Sequence, residues 1–309
     1  MTPLSSFERQ PTIQAALDQA AITPFKACPL FKGQEAEALE FLAAQPLHNV
    51  YMAGFIRDNG LVSPFNRGTF YACRDEAGRI EGLALIGHVT QLDVRTERAM
   101  EAFANTAQAC PSGHVVMGQS ASVREFWHHY SSGGQELRFA CRELLLEQRL
   151  PVATPLATTT LRQAIPADLP HILRVQAAMA VAECGVNPLA TDPEGFRARC
   201  ERRIERGRIW VQVEGGKLLF KADIMAQTPE TTYIEGVYVN RRYRRRGHGQ
   251  RCLLALGQIL LTRSDSVCLL VNERNVVAQS FYYGVGYELR GLYDTIYLYK
   301  EGQLSEDDK

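Results

Sequence analysis

The sequence predicts an α/β (α+β) protein of two domains, each built around one sheet, and three observations carry that prediction. Strand and helix patterns alternate through the second half, with hairpin signals at both of its ends. Parts of the first half repeat that plan at a constant offset of 152 residues. Between the halves, Leu150-Pro151-Val152-Ala153-Thr154-Pro155 carries prolines that interrupt both helix and central strand. The boundary is placed there, giving domains 1–150 and 151–302 and a solvated tail, 303–309.

In the second half, Thr159 to Gln163 reads as a strand, and Asp168 is positioned to N-cap a helix over Leu169 to Val181. Arg199 to Glu205 ends a second helix. Ile209 to Val213, the turn Glu214-Gly215-Gly216-Lys217 and Leu218 to Met225 form a hairpin. Tyr233 to Val239 is a strand, followed by a long helix from about Gly249 to Thr262, where Leu253, Leu256 and Leu260 share one face. A strand over Val267 to Val271, a short helix from Asn275 and strand pattern from Tyr287 to Tyr299 complete the domain. Trp210 and Phe220 read as core residues. In the first half the hairpin is Phe70 to Cys73, the turn Asp75-Glu76-Ala77-Gly78, and Ile80 to Val94. At the offset of 152, Val115-Val116, Tyr130, Gly134 and Glu136-Leu137-Arg138 fall on Val267-Cys268, Tyr282, Gly286 and Glu288-Leu289-Arg290. Matched order with matched spacing predicts a structural duplication.

Composition narrows the function classes. Hydrophobic residues make up 46 %, enough for buried cores. Lys+Arg and Asp+Glu are both 34, and a chain with no basic excess is not expected to grip nucleic acid. The start, Met1 to Glu8, has no secretory pattern, and no apolar run is long enough to span a bilayer. Eight cysteines are scattered without Cys-x-x-Cys pairs, which suits free thiols in a reducing compartment and no metal site. The expectation is a soluble cytoplasmic protein.

The chemistry is carried by Ile234 to Gln250, where a β-branched strand runs into a turn dense in Arg and Gly that opens an amphipathic helix. Gly247 and Gly249 put no side chains in the way, so successive backbone N–H groups converge on an anion at the helix N-terminus. The surrounding arginines add positive charge. This is a cradle for a pyrophosphate. It is neither the Gly-x-Gly-x-x-Gly of a dinucleotide fold nor a phosphate loop, since Gln250-Arg251-Cys252 follow Gly249.

Arg244-Arg245-Arg246-Gly247-His248-Gly249 resembles the Arg/Gln-x-x-Gly-x-Gly/Ala motif of the GNAT superfamily of acyl-CoA-dependent N-acetyltransferases. Asn275, Ala278, Phe281, Tyr282, Gly286 and Tyr287 resemble that family's Asn-x-x-Ala-x-x-Leu-Tyr-x-x-x-Gly-Phe pattern, with Phe281 for Leu and Tyr287 for Phe. The opening Leu161 to Ala164 with Asp168 also looks like the first strand and helix of such domains, so the resemblance covers about 159 to 299. It implies two tandem GNAT-like domains, each a mixed, mostly antiparallel sheet flanked by helices. The arrangement is similar to mycothiol synthase, with a degenerate N-terminal half.

The resemblance further implies that acetyl-CoA (acyl-CoA) lies between the strand 233–239 and the strand 267–271. The implied contacts are Val237, Tyr238, Val239, Arg244, Arg245, Arg246, Gly247, His248, Gly249, Gln250, Asn275 and Phe281. The acceptor is the primary amine of a small molecule or peptide, attacking the thioester directly, with neither nucleic acid nor membrane as a partner. Three aids are needed: a proton acceptor, an oxyanion donor and a stabiliser of the departing thiolate. Glu235 is the base candidate, and strand alternation places Tyr233, Glu235, Val237 and Val239 on one face. The Val237 N–H is the oxyanion donor. Tyr282 serves the thiolate by a hydrogen bond with late proton transfer, since a phenol (pKa about 10) lies roughly 2 kcal/mol above a thiol (about 8.5). The blander alternatives are a core tyrosine at 282, a Glu235 paired with an arginine or facing solvent, and a His248 that packs on phosphate or faces water.

Glu183 lies where substrate determinants fall in this family; it either attracts an amine or is a solvated loop residue, and the second reading is preferred. Lys221 and Asp223, charged residues in an apolar run, either sit on the cleft side or form a structural ion pair. In the first half Leu92-Asp93-Val94 runs into Arg95-Thr96-Glu97-Arg98 without a Gly pair, so no cradle forms there and Tyr130 is read as structural. Two other readings compete: a non-catalytic acyl-CoA sensor or interaction protein, and an aminoacyl-transferring relative. Retention of Glu235 and Tyr282 counts for catalysis, and the neutral charge with an intact cradle counts against aminoacyl transfer.

Overall fold

The structure, a computed structural model, describes residues 25–152 and 159–299. The start at Met1 to Glu8, residues 153–155 of the interdomain stretch and the tail, 303–309, lie outside the described residues. In the first half, β1 (Ala27–Pro29), α1 (Glu35–Leu42) and α2 (Pro46–Asn59) lead into β2 (Gly68–Arg74), β3 (Ile80–Gly87) and β4 (Val89–Val94). Then come α3 (Glu97–Gln108), β5 (Val115–Gln119), α4 (Ser120–Ser131) and β6 (Leu137–Gln148). The second half runs β7 (Arg162–Gln163), α5 (Leu169–Cys184), α6 (Pro188–Thr191), α7 (Pro193–Glu205), β8 (Ile209–Glu214), β9 (Lys217–Gln227) and β10 (Thr232–Val239). It finishes with α8 (His248–Leu260), β11 (Val267–Asn272), α9 (Val276–Tyr283) and β12 (Glu288–Leu298).

All strands join one mixed, mostly antiparallel sheet of twelve, in the order β1-β2-β3-β4-β5-β12-β6-β11-β10-β9-β8-β7. The middle of that order is an exchange of strands. The last strand of the second half, β12, lies beside β5 of the first, and the last strand of the first half, β6, lies beside β11 of the second. The two exchanged strands pair antiparallel along nearly their whole length. They cross at equivalent positions of the repeat: Arg142 faces Asp294, with Nε 2.8 Å from Oδ1. The parallel pairs are duplicated as well. β4 meets β5 only at Val89↔Val115 and Thr90↔Val116, and β10 meets β11 only at Thr232↔Val267 and Tyr233↔Cys268. Gly134 and Gly286 both take positive φ, +86° and +90°, before the exchanged strands. The duplication read at the offset of 152 is present in the backbone.

Apolar alternation builds a core on each face. In β8, Ile209 and Val211 point to α5 and α7, and Trp210 points to α8. Trp210 and Phe220 are core residues, as expected. The halves are held together by more than the exchanged strands. Helix α2 of the first half packs on β9 and β10 of the second through Val50, Ala226 and Tyr233. Gly54 permits that approach, because a Cβ there would lie 2.6 Å from the Ala226 Cβ.

Three local expectations need correction. Asp168 occupies the cap position, but its carboxylate turns back to the Ile165 N–H (2.9 Å) and to Arg162 (2.7 Å) and makes no bond to the following turn. The first strand shortens to Arg162–Gln163, because those are the residues that pair with Val211 and Trp210. Ile80 to Val94 is two strands, β3 and β4, which fold on each other as an antiparallel pair.

Candidate active site

The strands β10 and β11 part immediately after two paired residues, so from Ile234 onward the β11-facing edge of β10 is open. On its other edge β10 bulges. Gly236 and Val237 stand against Ala222 alone, between the pairs Glu235↔Asp223 and Tyr238↔Lys221, and Gly236 has φ +60°. A bulge resets the alternation of side chains, and that overturns the single face expected for Tyr233, Glu235, Val237 and Val239. Val237 and Val239 pack on the α8 side, whereas Tyr238 packs with the α5 and α7 core. Glu235 turns to that same side and meets Arg203 of α7.

The turn after β10 is shaped by its own bonds. The Asn240 side chain accepts from the Arg242 N–H (3.1 Å), and Arg244 Nε donates to the Val239 carbonyl (2.9 Å). Arg245 takes φ +57° and Gly247 φ +74°, and α8 begins at His248. The first bond of the helix runs from the Arg251 N–H to the Gly247 carbonyl (3.0 Å), which leaves the N–H groups of His248, Gly249 and Gln250 at the open end. Arg244, Arg245 and Arg246 are exposed around it. A Cβ on Gly249 would lie 2.7 Å from Val239 Cγ2 and 3.3 Å from the Phe281 ring, so only glycine lets helix, strand and α9 converge here. His248 packs edge-on to Tyr243, with Nδ1 3.2 Å from Arg251. These residues fit a pyrophosphate: open N–H groups, a helix dipole and exposed cations.

The equivalent place in the first half is narrower, with a cavity of about 50 Å³ between β4, β5 and α2. Thr96 caps α3 with its own hydroxyl, accepting from Ala99 (3.4 Å). Asn49 of α2 reaches between the strands to Asp93 (2.6 Å).

Helix α9 starts at Asn275, whose side chain caps it by accepting from the Ala278 N–H (3.1 Å). Phe281 and Tyr282 follow on the side facing α8. Tyr282 is 8 % exposed, and its ring lies edge-on to Phe281 and Tyr287. Its hydroxyl makes no hydrogen bond among the described residues. Burial pushes its pKa up, and the Glu183 carboxylate pushes it further. Glu183 belongs to α5, on the opposite face of the sheet.

On that opposite face, charged groups converge. Lys221 and Asp223 form an ion pair of 2.7 Å at 0 % and 1 % side-chain exposure. Lys221 Nζ also donates to Gln176 Oε1 (2.6 Å) and to the Gly236 carbonyl (3.3 Å), which ties the bulge to α5. The pair is therefore a buried structural ion pair, the second of the two readings. Arg203 lies 3.3 Å from Asp223 and 3.4 Å from Glu235. Glu235 keeps a third of its side chain exposed (33 %), and crowding by protein raises its pKa against the pull of Arg203. Glu183 is on the last turn of a helix and not in a loop, yet it is solvent-exposed there, as read from the sequence; what burial it has, then Glu235 and Glu143, raise its pKa. Glu143, held by Thr295 (2.6 Å), comes from the exchanged strand β6, so a residue of the first half adds to the field of these carboxylates.

Arg203 and Glu143 are the residues missed by sequence reasoning. Arg199, Arg202, Arg203 and Arg206 recur at helical spacing, which was a readable sign of a basic helix face. Nothing local to Glu143 signals its position.

Residues 219–297, from β9 through β12, match the family model described as FR47-like protein. No curated protein matches the chain. Solved structures similar to it include an acetyltransferase from the GNAT family from Colwellia psychrerythraea, at 12 % identity and TM-score 0.56, covering 89 % of this chain and 99 % of that one. A GCN5-related N-acetyltransferase from Sphaerobacter thermophilus aligns at 13 % identity and TM-score 0.54, over 87 % and 94 %. A tandem GNAT protein from the clavulanic acid biosynthesis pathway aligns at 16 % identity and TM-score 0.56, over 87 % and 97 %. The fold is that of the GNAT superfamily. The likeness spans both halves, so the GNAT fold extends through the first half, where no cradle is open. Among the described residues there is no group of His, Cys, Asp and Glu able to hold a metal, all eight cysteines are free, and no helix is long and apolar enough to cross a membrane.

Proposed function

We propose that this chain is an N-acyltransferase that moves an acetyl group from acetyl-CoA to the primary amine of a small molecule or peptide, by direct attack within a ternary complex. One observation carries the reading: the parted strands β10 and β11 open beside the unpaired N-terminus of α8. The pyrophosphate would sit on the N–H groups of His248, Gly249 and Gln250, with Arg244, Arg245 and Arg246 around it. The pantetheine would run along the free edge of β10 at Val237, Tyr238 and Val239, past Asn275 and Phe281. In this reading residues 151–302 hold the machinery, and 1–150 complete the acceptor wall through Glu143.

The amine nitrogen bonds to the thioester carbon, and the carbon–sulfur bond breaks. The Val237 N–H, left out of the ladder by the bulge, donates to the carbonyl oxygen as it gains charge. Glu235 takes the amine proton, directly or through water, and the Tyr282 hydroxyl stabilises the departing thiolate. A glutamate with a raised pKa is a better base at neutral pH. Because it must be ionised to act, the rate should climb as pH rises through that raised value. The ascending limb of kcat/KM should lie above the ordinary glutamate range and vanish in Glu235→Gln.

Calorimetric titration tests the cofactor assignment. Acetyl-CoA should bind the native chain, and Gly249→Asp, which puts a side chain and a negative charge into the cradle, should weaken it at least about a hundredfold (roughly 3 kcal/mol). Failure of acetyl-CoA, succinyl-CoA and free CoA to bind the native chain would refute the proposal.

A further inference from the structure

Between the halves, α2 and the turn before β2 face α7 and β9 across a pocket of about 290 Å³. Six arginines line it: Arg67, Arg199, Arg202, Arg203, Arg206 and Arg208. Among the described residues Asp58 is the one carboxylate in the lining, and it is occupied by Arg208 (2.7 Å) and Arg206 (3.8 Å); outside the lining, Arg199 is paired with Asp192 (2.9 Å) and Arg203 with Asp223 (3.3 Å) and Glu235 (3.4 Å). Asn59 is likewise shared by Arg202 (3.0 Å) and Arg206 (3.3 Å). Positive charge is left over. Arg208 Nη1 is buried without a hydrogen-bond partner. The Arg67 guanidinium makes no hydrogen bond or ion pair among the described residues, although its backbone is held at φ +52°. Burial lowers the Arg67 pKa, and the nearby Arg199 and Arg203 lower it further, as expected where like charges crowd.

The pocket also adjoins the candidate base. Arg203 lines it and reaches Glu235 at 3.4 Å, and the Tyr51 phenol on its wall lies within the field of Glu235, Arg203 and Arg67. Tyr51 and Phe55, stacked at 4.4 Å, give the pocket an apolar side against which a ligand's carbon skeleton can rest. Guanidinium forks with spare donors match phosphate and carboxylate oxygens.

We infer that this pocket binds the anionic group of the acceptor, so that the acceptor is a small amine carrying a phosphate or a carboxylate. The word acceptor rests on the transferase reading; the anion site does not. With the anion among the arginines, the amine points toward Glu235, and Arg203 spans the two groups. The first half then has a direct role, since α2 and Arg67 provide one side of the pocket.

Calorimetry on the full chain tests this with O-phosphoethanolamine, β-alanine and ethanolamine as probes. Phosphoethanolamine or β-alanine should bind, and ethanolamine, which keeps the amine and lacks the anion, should bind at least about tenfold more weakly. The stronger of the two anionic probes tells phosphate from carboxylate as the preferred group. Arg67→Asn keeps a residue that tolerates positive φ, removes an unpaired charge and so should fold. It and Arg199→Gln should each weaken the anionic probe about tenfold and leave acetyl-CoA binding unchanged. Gly249→Asp should do the reverse. The inference fails if neither anion binds, if native chain and Arg67→Asn bind it alike, or if Gly249→Asp abolishes it, which would put the anion in the cradle. Failure of the transferase reading looks different: acetyl-CoA would not bind while the anion still does.

Discussion

Lys221→Ala is expected to destabilise the fold by about 3–5 kcal/mol, read as a lower denaturant midpoint. The ammonium is fully buried, ion-paired with Asp223 (2.7 Å) and donating to two acceptors, Gln176 Oε1 and the Gly236 carbonyl. Removing it leaves the Asp223 carboxylate buried with Arg203 at 3.3 Å as its remaining ion-pair partner. Most of the expected loss is the penalty of that stranded charge, not the worth of the pair. Lys221→Met combined with Asp223→Leu should therefore recover most of the stability, since both charges leave together. It should not recover turnover. Lys221 also holds the carbonyl of the bulge that aims the Val237 N–H, and Arg203 would lose one of the two carboxylates between which it is fixed. A single variant costing under about 1 kcal/mol would mean that water replaces the ammonium and that the bulge has other support.

Tyr282→Phe should lower kcat about a hundredfold and leave the KM for acetyl-CoA nearly unchanged, because a bond to the departing sulfur strengthens only as negative charge develops there. The phenyl ring keeps the packing against Phe281 and Tyr287, so the fold should be unaffected. The hydroxyl has no protein partner to lose among the described residues, which makes the substitution a clean one. Its raised pKa disfavours a tyrosinate and supports donation to sulfur with the proton moving late. A kcat that barely changes would return Tyr282 to a packing role.

The cradle was legible because its parts are contiguous. Strand, basic turn, glycines and helix follow one another within Ile234 to Gln250, and each forms by local rules. The cap at Asn275 is local in the same way. The face of Glu235 was not legible. Alternation assumes an unbroken strand, and the bulge at Gly236 and Val237 shifts the later side chains to the other side. Asp168 shows the same limit on a smaller scale: its position marks a helix start, but Arg162 and the Ile165 N–H compete for the carboxylate and win.

The sequence by itself determined the duplicated plan, the basic turn with the glycine-opened start of α8, and the capped start of α9, since these depend on spacings along the chain. The tertiary structure alone decided that the halves exchange their last strands and that Glu143, on one of those strands, lies within the field of Glu235 and Glu183. It also decided that Glu183 lies near Glu235, that Lys221 anchors the bulge, and that six arginines meet α2 in one pocket. The physical reason is that these are contacts between distant segments. Which strand edges pair, and which helix faces a given edge, is set by the burial and hydrogen bonding of the whole sheet, and no window of neighbouring residues contains that information.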